Sequence, residues 1–133
     1  MKFSRTRRGV AAVEFAFAAP VFFLVLLTVF EFGWQVVIRH TADNAAYEAV
    51  RVAIVPGSTA DEAVAEATRI MQIVGARSFN VTVNPAVLDE NTQLVEVVVD
   101  GAFANNGIIA SKFLRGITFR SSSEMLTERP RRN

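Results

Sequence analysis

The most continuous apolar segment of the chain lies near its N-terminus. Residues 15–30 contain no charged side chain, and the longer apolar run over residues 10–30 is interrupted only by Glu14. A helix needs about 20 predominantly apolar residues to cross the hydrocarbon core of a bilayer. Four basic residues precede the run: Lys2, Arg5, Arg7 and Arg8. Because basic residues concentrate on the cytoplasmic side of a span, the pattern predicts a membrane-spanning helix with a cytoplasmic N-terminus.

Beyond the apolar run, small residues recur at helical spacing. The stripe consists of Ala42, Ala45, Ala46, Ala49, Val50 and Ala53. A stripe on one face predicts that the helix continues out of the membrane and packs on a folded domain. We expect one long helix over residues 10–54, ended by Pro56-Gly57. The alternative is a separate short helix after a break near His40-Thr41.

A second helix is predicted over residues 60–74. Thr59 and Glu62 have the spacing of a capping box, in which each side chain bonds to the other residue's backbone amide. Apolar residues then recur on one face, and Gly75 offers a left-handed C-terminal cap.

From Phe79 onward the apolar period changes to two, which is typical of strands. The alternation predicts strands over residues 79–84, 94–99 and 117–125, and residues 108–114 form either a short helix or an apolar loop. Three strands with one apolar face predict an antiparallel sheet packed on the helix pair. The expected fold class is α+β, with a long N-terminal transmembrane helix, a second helix and a three-stranded antiparallel sheet.

Three interpretations of the N-terminal segment remain open at this point. A cleavable secretory signal has a shorter apolar core, of about 7–15 residues, and a small-residue cleavage site. A plain single-span anchor explains the length and the charge but gives Glu14 no role, although an ionisable group inside a span costs about 2.5–3.5 kcal/mol. The third interpretation uses Gly9 and Glu14 together.

A basic leader ending in Gly9 is followed by four small or apolar residues, then Glu14-Phe15 and a long apolar helix. This order resembles the processing site of type IV pilin-like precursors. The fuller string RGVAAVEFAFAAP, from Arg8 to Pro20, with Glu31-Phe32-Gly33 further on, resembles the TadE-like family. Members of that family are minor pilins or pseudopilins of the Tad (tight adherence, Flp-type) pilus system. The resemblance is specific over residues 7–33 and holds only in outline beyond them.

The resemblance implies a function and a set of site residues. A prepilin peptidase would cut between Gly9 and Val10 on the cytoplasmic face, and Val10 would become the new N-terminus. Glu14 would then pair with the N-terminal amine of a neighbouring subunit during assembly. The protein would be a structural minor pilin or pseudopilin that takes part in Tad pilus assembly or secretion. Its partners would be membrane lipid, the peptidase, other pilin-like subunits and Tad assembly proteins.

These expectations divide the chain into four parts. Residues 1–9 form the leader, residues 10–38 the transmembrane helix, residues 39–128 an extracytoplasmic α+β domain and residues 129–133 a disordered tail. The protein is expected in the bacterial inner membrane as a single-pass subunit, and in the pilus after assembly. Glu31 and Trp34 are expected at the membrane interface, where Trp is enriched.

Composition argues against several other functions. The leader carries four of the 14 basic residues, so its removal leaves ten against 13 acidic ones. This balance argues against nucleic-acid binding, which needs a basic patch. The chain has no Cys and a single His, His40, so we expect no metal site, since structural zinc needs four ligands. No catalytic constellation points to an enzyme, a cofactor or a small-molecule substrate. The alternative function is an uncut single-span anchor that carries a sensor or scaffold domain.

Overall fold

The computed structural model describes the backbone of residues 4–107 and 116–127, with side chains from residue 9 onward within those ranges. The element predicted over residues 108–114 and the tail predicted over residues 129–133 lie outside the described residues.

Helix α1, Ser4–Ala53, is a single helix of 50 residues. The prediction of one long helix is therefore confirmed, and there is no break near His40-Thr41. The helix begins six residues before the predicted start at Val10. No Pro lies between Ser4 and Gly9, and Gly9 does not adopt a positive φ, so nothing there interrupts the helical backbone. Pro20 lies inside the helix.

Helix α2, Ala60–Ile73, starts at the predicted capping box. The Thr59 hydroxyl accepts from the Glu62 amide at 3.3 Å, and a Glu62 carboxylate oxygen accepts from the Thr59 amide at 3.0 Å. Gly75 follows the helix with φ +70°, the left-handed conformation that glycine adopts without steric cost. The sequence-based prediction of this helix and both of its ends is confirmed to within one residue.

Three strands form an antiparallel sheet in the order β1-β2-β3. They are β1 Phe79–Asn84, β2 Leu94–Ala102 and β3 Thr118–Leu126, and a short 3-10 helix, Phe103–Asn105, follows β2. The predicted α+β class is confirmed. Strand β2 continues past its predicted end at Val99, because Gly101 and Ala102 still pair with β3.

The core lies between the two helices and one face of the sheet. All six residues of the predicted small-residue stripe of α1 are fully buried, together with Ile38. Helix α2 adds Ala63, Ala67, Ile70 and Met71, and the sheet adds Val83, Val95, Val97, Val99 and Phe119. Small residues on α1 allow α2 and the sheet to approach its backbone closely. We call the packed part, residues 31–107 and 116–127, the head.

The N-terminal half of α1 is packed quite differently. Residues 9–30 are exposed along their whole length, apart from the half-buried Ala19. Burial on α1 begins at Glu31 and recurs at Ile38 and Ala42. The head therefore contacts α1 from Glu31 onward, within the range of residues 10–38 predicted to span the membrane. The domain boundaries at residues 9, 38 and 128 stay predictions.

Candidate functional site

The candidate functional site is the exposed half of α1, residues 9–30, which we call the exposed span. At about 1.5 Å per residue it is about 33 Å long, close to the thickness of a bilayer's hydrocarbon core, about 30 Å. Among the described residues, α1 is the one helix that is long and apolar enough to cross a membrane. Its apolar side chains have no partner surface in the head, and this arrangement supports membrane anchoring.

Side chains in the exposed span suit an apolar surrounding. Large apolar residues point outward on all sides of the helix, including Phe15, Phe17 and Leu24. The one hydroxyl in the second half of the span, that of Thr28, donates to the Leu24 carbonyl at 2.8 Å. This bond satisfies the hydroxyl without water, as a lipid environment requires.

Glu14 is the only ionisable residue in the exposed span. Its side chain is exposed and has no hydrogen bond or ion pair within the part of the chain that the structure describes. Val10 lies one helical turn before it, and Gly9 and Val10 both belong to α1. The predicted cleavage bond and the predicted assembly carboxylate thus lie on the same continuous helix, about 6 Å apart along its axis.

Glu31 and Trp34, predicted at the membrane interface, lie where the exposed span meets the head. Glu31 is only 4% exposed. Trp34 is half-buried and packs against the core, and its Nε1 donates to the Asn106 carbonyl at 2.7 Å. Both residues thus have a place in the protein itself, and their role at a lipid interface stays a prediction.

Asn106 joins three parts of the head, a role that the sequence analysis missed. Its Oδ1 accepts from the Arg77 amide at 2.8 Å, and its Nδ2 donates to the carbonyls of Ser78 at 2.9 Å and Ala102 at 3.0 Å. Its own carbonyl accepts from Trp34. The string Asn105-Asn106-Gly107 predicts a turn, but no local signal shows partners that lie 28 or 29 residues away.

A second polar link fastens α1 to the sheet. The Ser121 hydroxyl, buried on β3, donates to an Asp43 carboxylate oxygen of α1 at 2.6 Å. Asp43 lies off the small-residue stripe in the sequence. It follows the buried Ala42 directly, and its carboxylate reaches Ser121 on β3.

Two of the three acidic residues of α2 have structural partners. Glu62 belongs to the capping box, and Glu66 accepts two hydrogen bonds from Arg69, at 2.6 and 2.9 Å. These bonds hold the pKa of Glu66 below its usual value and raise the pKa of Arg69. Within the described ranges no three His, Asp or Glu side chains come close enough together to hold a metal ion.

One open groove of about 440 Å³ lies between α1 and the C-terminal end of α2. We call it the basal groove, because it lies on the side of the head that adjoins the exposed span. Its lining residues are Val36, Val37, His40, Thr41 and Asn44 of α1, with Ile70, Ile73 and Val74. The single histidine thus lies on an apolar groove with no other ionisable side chain in its lining.

The comparisons with known proteins give one match. Residues 9–51 match the model of a protein family described as TadE-like protein. The match confirms the resemblance seen in the sequence and falls entirely within α1. It relates this helix to pilin-like proteins associated with the Tad pilus, a structural rather than an enzymatic family. Neither the comparison with curated proteins nor that with solved structures gave a match.

Proposed function

We propose that this protein, whose residues 9–51 carry the TadE-like match, is a minor pilin or pseudopilin of a Tad pilus system. It is held in the bacterial inner membrane by α1, with its N-terminus in the cytoplasm and its head outside. The observation that carries the proposal is the exposed span. It is an apolar helix, matched to a pilin-like family, whose side chains stay exposed in the part of the chain that the structure describes.

Glu14 supplies the proposed assembly contact. A carboxylate at the centre of a span costs about 2.5–3.5 kcal/mol, and one near the end of the span, such as Glu14, costs less. A positive partner removes much of the remaining cost. Removal of residues 1–9 creates such a partner, since it frees the Val10 amine. The amine of one subunit and the Glu14 carboxylate of its neighbour then attract each other, and this pairing favours one axial offset between adjacent helices.

Gly9 supports cleavage at the Gly9–Val10 bond. Before processing, this bond lies inside α1, so a peptidase must locally unwind the helix to reach it. Glycine destabilises a helix interior by about 1 kcal/mol relative to alanine, which lowers the cost of that unwinding. The four basic residues of the leader keep this end of the helix on the cytoplasmic side.

The first test is the intact mass of the protein isolated from native membranes. The expected result is the mass of a chain that starts at Val10, from which residues 1–9 have been removed. A chain that starts at Met1 in cells with an active prepilin peptidase overturns the processing step. That result favours the alternative, an uncut anchor that carries a sensor or scaffold domain.

The second test separates assembly from anchoring. Glu14→Gln keeps the size of the side chain and removes its charge, so the variant is expected in the membrane, cleaved, but depleted from assemblies recovered by shearing or crosslinking. Glu124→Gln, on the exposed face of β3, is the matched control and should assemble like the unaltered protein. Normal incorporation of Glu14→Gln would show that the charge has no part in assembly.

A further inference from the structure

The basal groove carries apolar surface that is not covered by the described part of the chain. Of its lining residues, Ile73 is 71% exposed, Val36 55% and Val37 42%. Ile73 ends α2, and its side chain lies outside the core cluster. What distinguishes Ile73 is that it lies with Val36 and Val37 on one groove, and a surrounding less polar than water would stabilise these adjoining apolar side chains.

The groove is continuous with the exposed span. Along α1, no exposed ionisable side chain occurs between Glu14 and Arg39, because Glu31 is buried in the head. With Glu14 at the inner boundary of the hydrocarbon, a thickness of about 30 Å corresponds to about 20 residues of helix and ends near Trp34. Val36 and Val37 then lie just beyond the boundary of the hydrocarbon, and His40 lies at the depth of the lipid headgroups.

The lining of the groove becomes more polar with distance from the exposed span. The α1 residues nearest the span are Val36 and Val37, while His40, Thr41 and Asn44 lie one to two turns further away. Helix α2 runs back toward the span, so that Ile73 and Val74 line the groove beside these residues. An apolar end toward the membrane and a polar end away from it match the order of acyl chain, glycerol and headgroup in a lipid leaflet.

We propose that the base of the head is itself a lipid-binding surface, in which Ile73 and the neighbouring groove are immersed in the outer interfacial region of the bilayer. The proposal rests on the membrane anchoring proposed above. Two contact regions, the span and the groove, would fix the tilt of the head on the membrane before the subunit leaves it. A second copy of the chain is the competing occupant, and the labelling experiment distinguishes the two.

The chain has no cysteine, so single cysteines can carry a nitroxide spin label at chosen sites. Ile73→Cys reports on the groove, and its exposure means that the change removes no core contact. Val55→Cys is the matched control, since Val55 is 49% exposed just after the opposite end of α1. Phe23→Cys, in the exposed span, reports on anchoring.

The measurement is the collision rate of each label with oxygen, which concentrates in lipid, and with a polar nickel chelate, which stays in water. The full chain is reconstituted in vesicles of equal parts phosphatidylcholine and phosphatidylglycerol. We expect the ratio of oxygen to nickel collisions to be highest at Phe23→Cys, clearly raised at Ile73→Cys and lowest at Val55→Cys.

The other outcomes are distinguishable. A ratio at Ile73→Cys equal to that at Val55→Cys, with a high ratio at Phe23→Cys, overturns the lipid contact and leaves the anchor intact. A low ratio at Phe23→Cys as well overturns the anchor and this inference together. Shielding of the Ile73→Cys label from both reagents, with spin–spin broadening that grows with protein density, assigns the groove to a second copy instead.

Discussion

Asn106 shows how a single buried side chain connects segments that lie far apart in the sequence. Asn is one of the few side chains that can both accept and donate at the same site, and here it does both to backbone groups of Arg77, Ser78 and Ala102. Because its carbonyl also accepts from Trp34, the link reaches α1 close to the end of the exposed span.

Asn106→Ala is expected to destabilise the head by at least about 2 kcal/mol, because each buried polar group left without a partner costs about 1–3 kcal/mol. Asn105→Ala is the control: the Asn105 side chain is exposed and bonds to the Ser78 hydroxyl, so its loss should stay within about 0.5 kcal/mol. Urea unfolding of both variants in detergent micelles, followed by circular dichroism, measures the difference. Equal midpoints would refute the role assigned to Asn106.

Gly101 is required because a side chain would collide with its neighbours, and not because its backbone conformation demands glycine. A Cβ at this position would lie 2.5 Å from the Ser78 carbonyl oxygen and 2.8 Å from Cζ of Phe119. The first of these neighbours is backbone, which cannot move aside as a flexible side chain can. Sequence alone could not reveal this constraint, since a glycine inside an alternating stretch equally suits a bulge or the end of a strand.

Gly101→Ala is therefore expected to cost about 1–3 kcal/mol, the usual penalty of forcing extra volume into a packed site. Gly33→Ala is the control, because a Cβ there meets nothing within 4 Å and alanine favours a helix. The thermal midpoint should fall for the first variant and stay level or rise for the second. A Gly101→Ala protein as stable as the unaltered chain would mean that the strand can shift to make room.

At the scale of elements, the sequence predicts local structure well and tertiary partners poorly. The capping box of α2 is predictable from the sequence because both of its members lie within four residues of each other. The small-residue stripe of α1 is predictable for the same reason, since helical spacing is a local property. Trp34 is the counterexample: its amphipathic ring suits a membrane interface, and the acceptor it finds in the structure lies 72 residues away in the head.

The cap of α2 provides a prediction for an element. Thr59→Ala removes the acceptor for the Glu62 amide and is expected to cost about 1 kcal/mol. Thr68→Ala is a matched control in the same helix, because the Thr68 hydroxyl only bonds back to the Val64 carbonyl and alanine is the better helix former. Chemical unfolding should give a lower midpoint for Thr59→Ala than for the unaltered protein. The midpoint of Thr68→Ala should be equal to or higher than that of the unaltered protein.

At the scale of the whole molecule, α1 serves two surroundings, and burial in the head begins at Glu31, inside the range of residues 10–38 predicted to span the membrane. Apolar character continues to Ile38, so the sequence predicted a span over residues 10–38 and a domain from residue 39. However, Trp34 and Ile38 pack in the head: Ile38 is fully buried in its core, and Trp34 packs against that core. Hydropathy cannot distinguish a side chain that faces lipid from one that faces protein, because both surroundings exclude water.

This overlap predicts how the molecule can be divided. A chain of residues 28–133 keeps Glu31, Trp34 and Ile38 and is expected to fold without most of the exposed span. A chain of residues 39–133 lacks the fully buried Ile38, worth about 1.5–3 kcal/mol of burial, and the half-buried Trp34 with its hydrogen bond to Asn106. Against a typical domain stability of about 5–15 kcal/mol, that loss is large enough to leave the shorter chain partly or wholly unfolded.

Thermal unfolding followed by circular dichroism distinguishes the two chains. The longer chain should melt cooperatively. The shorter chain should either show no cooperative transition or melt at a much lower temperature. Ile38→Ala in the longer chain is the intermediate case, with an expected loss of about 2–5 kcal/mol for truncating a buried isoleucine. Equal melting of the two chains would place the boundary at residue 39 after all. The expected result would instead mean that the first two turns of α1 beyond the exposed span belong to the head, so that any movement of the span is transmitted directly to it.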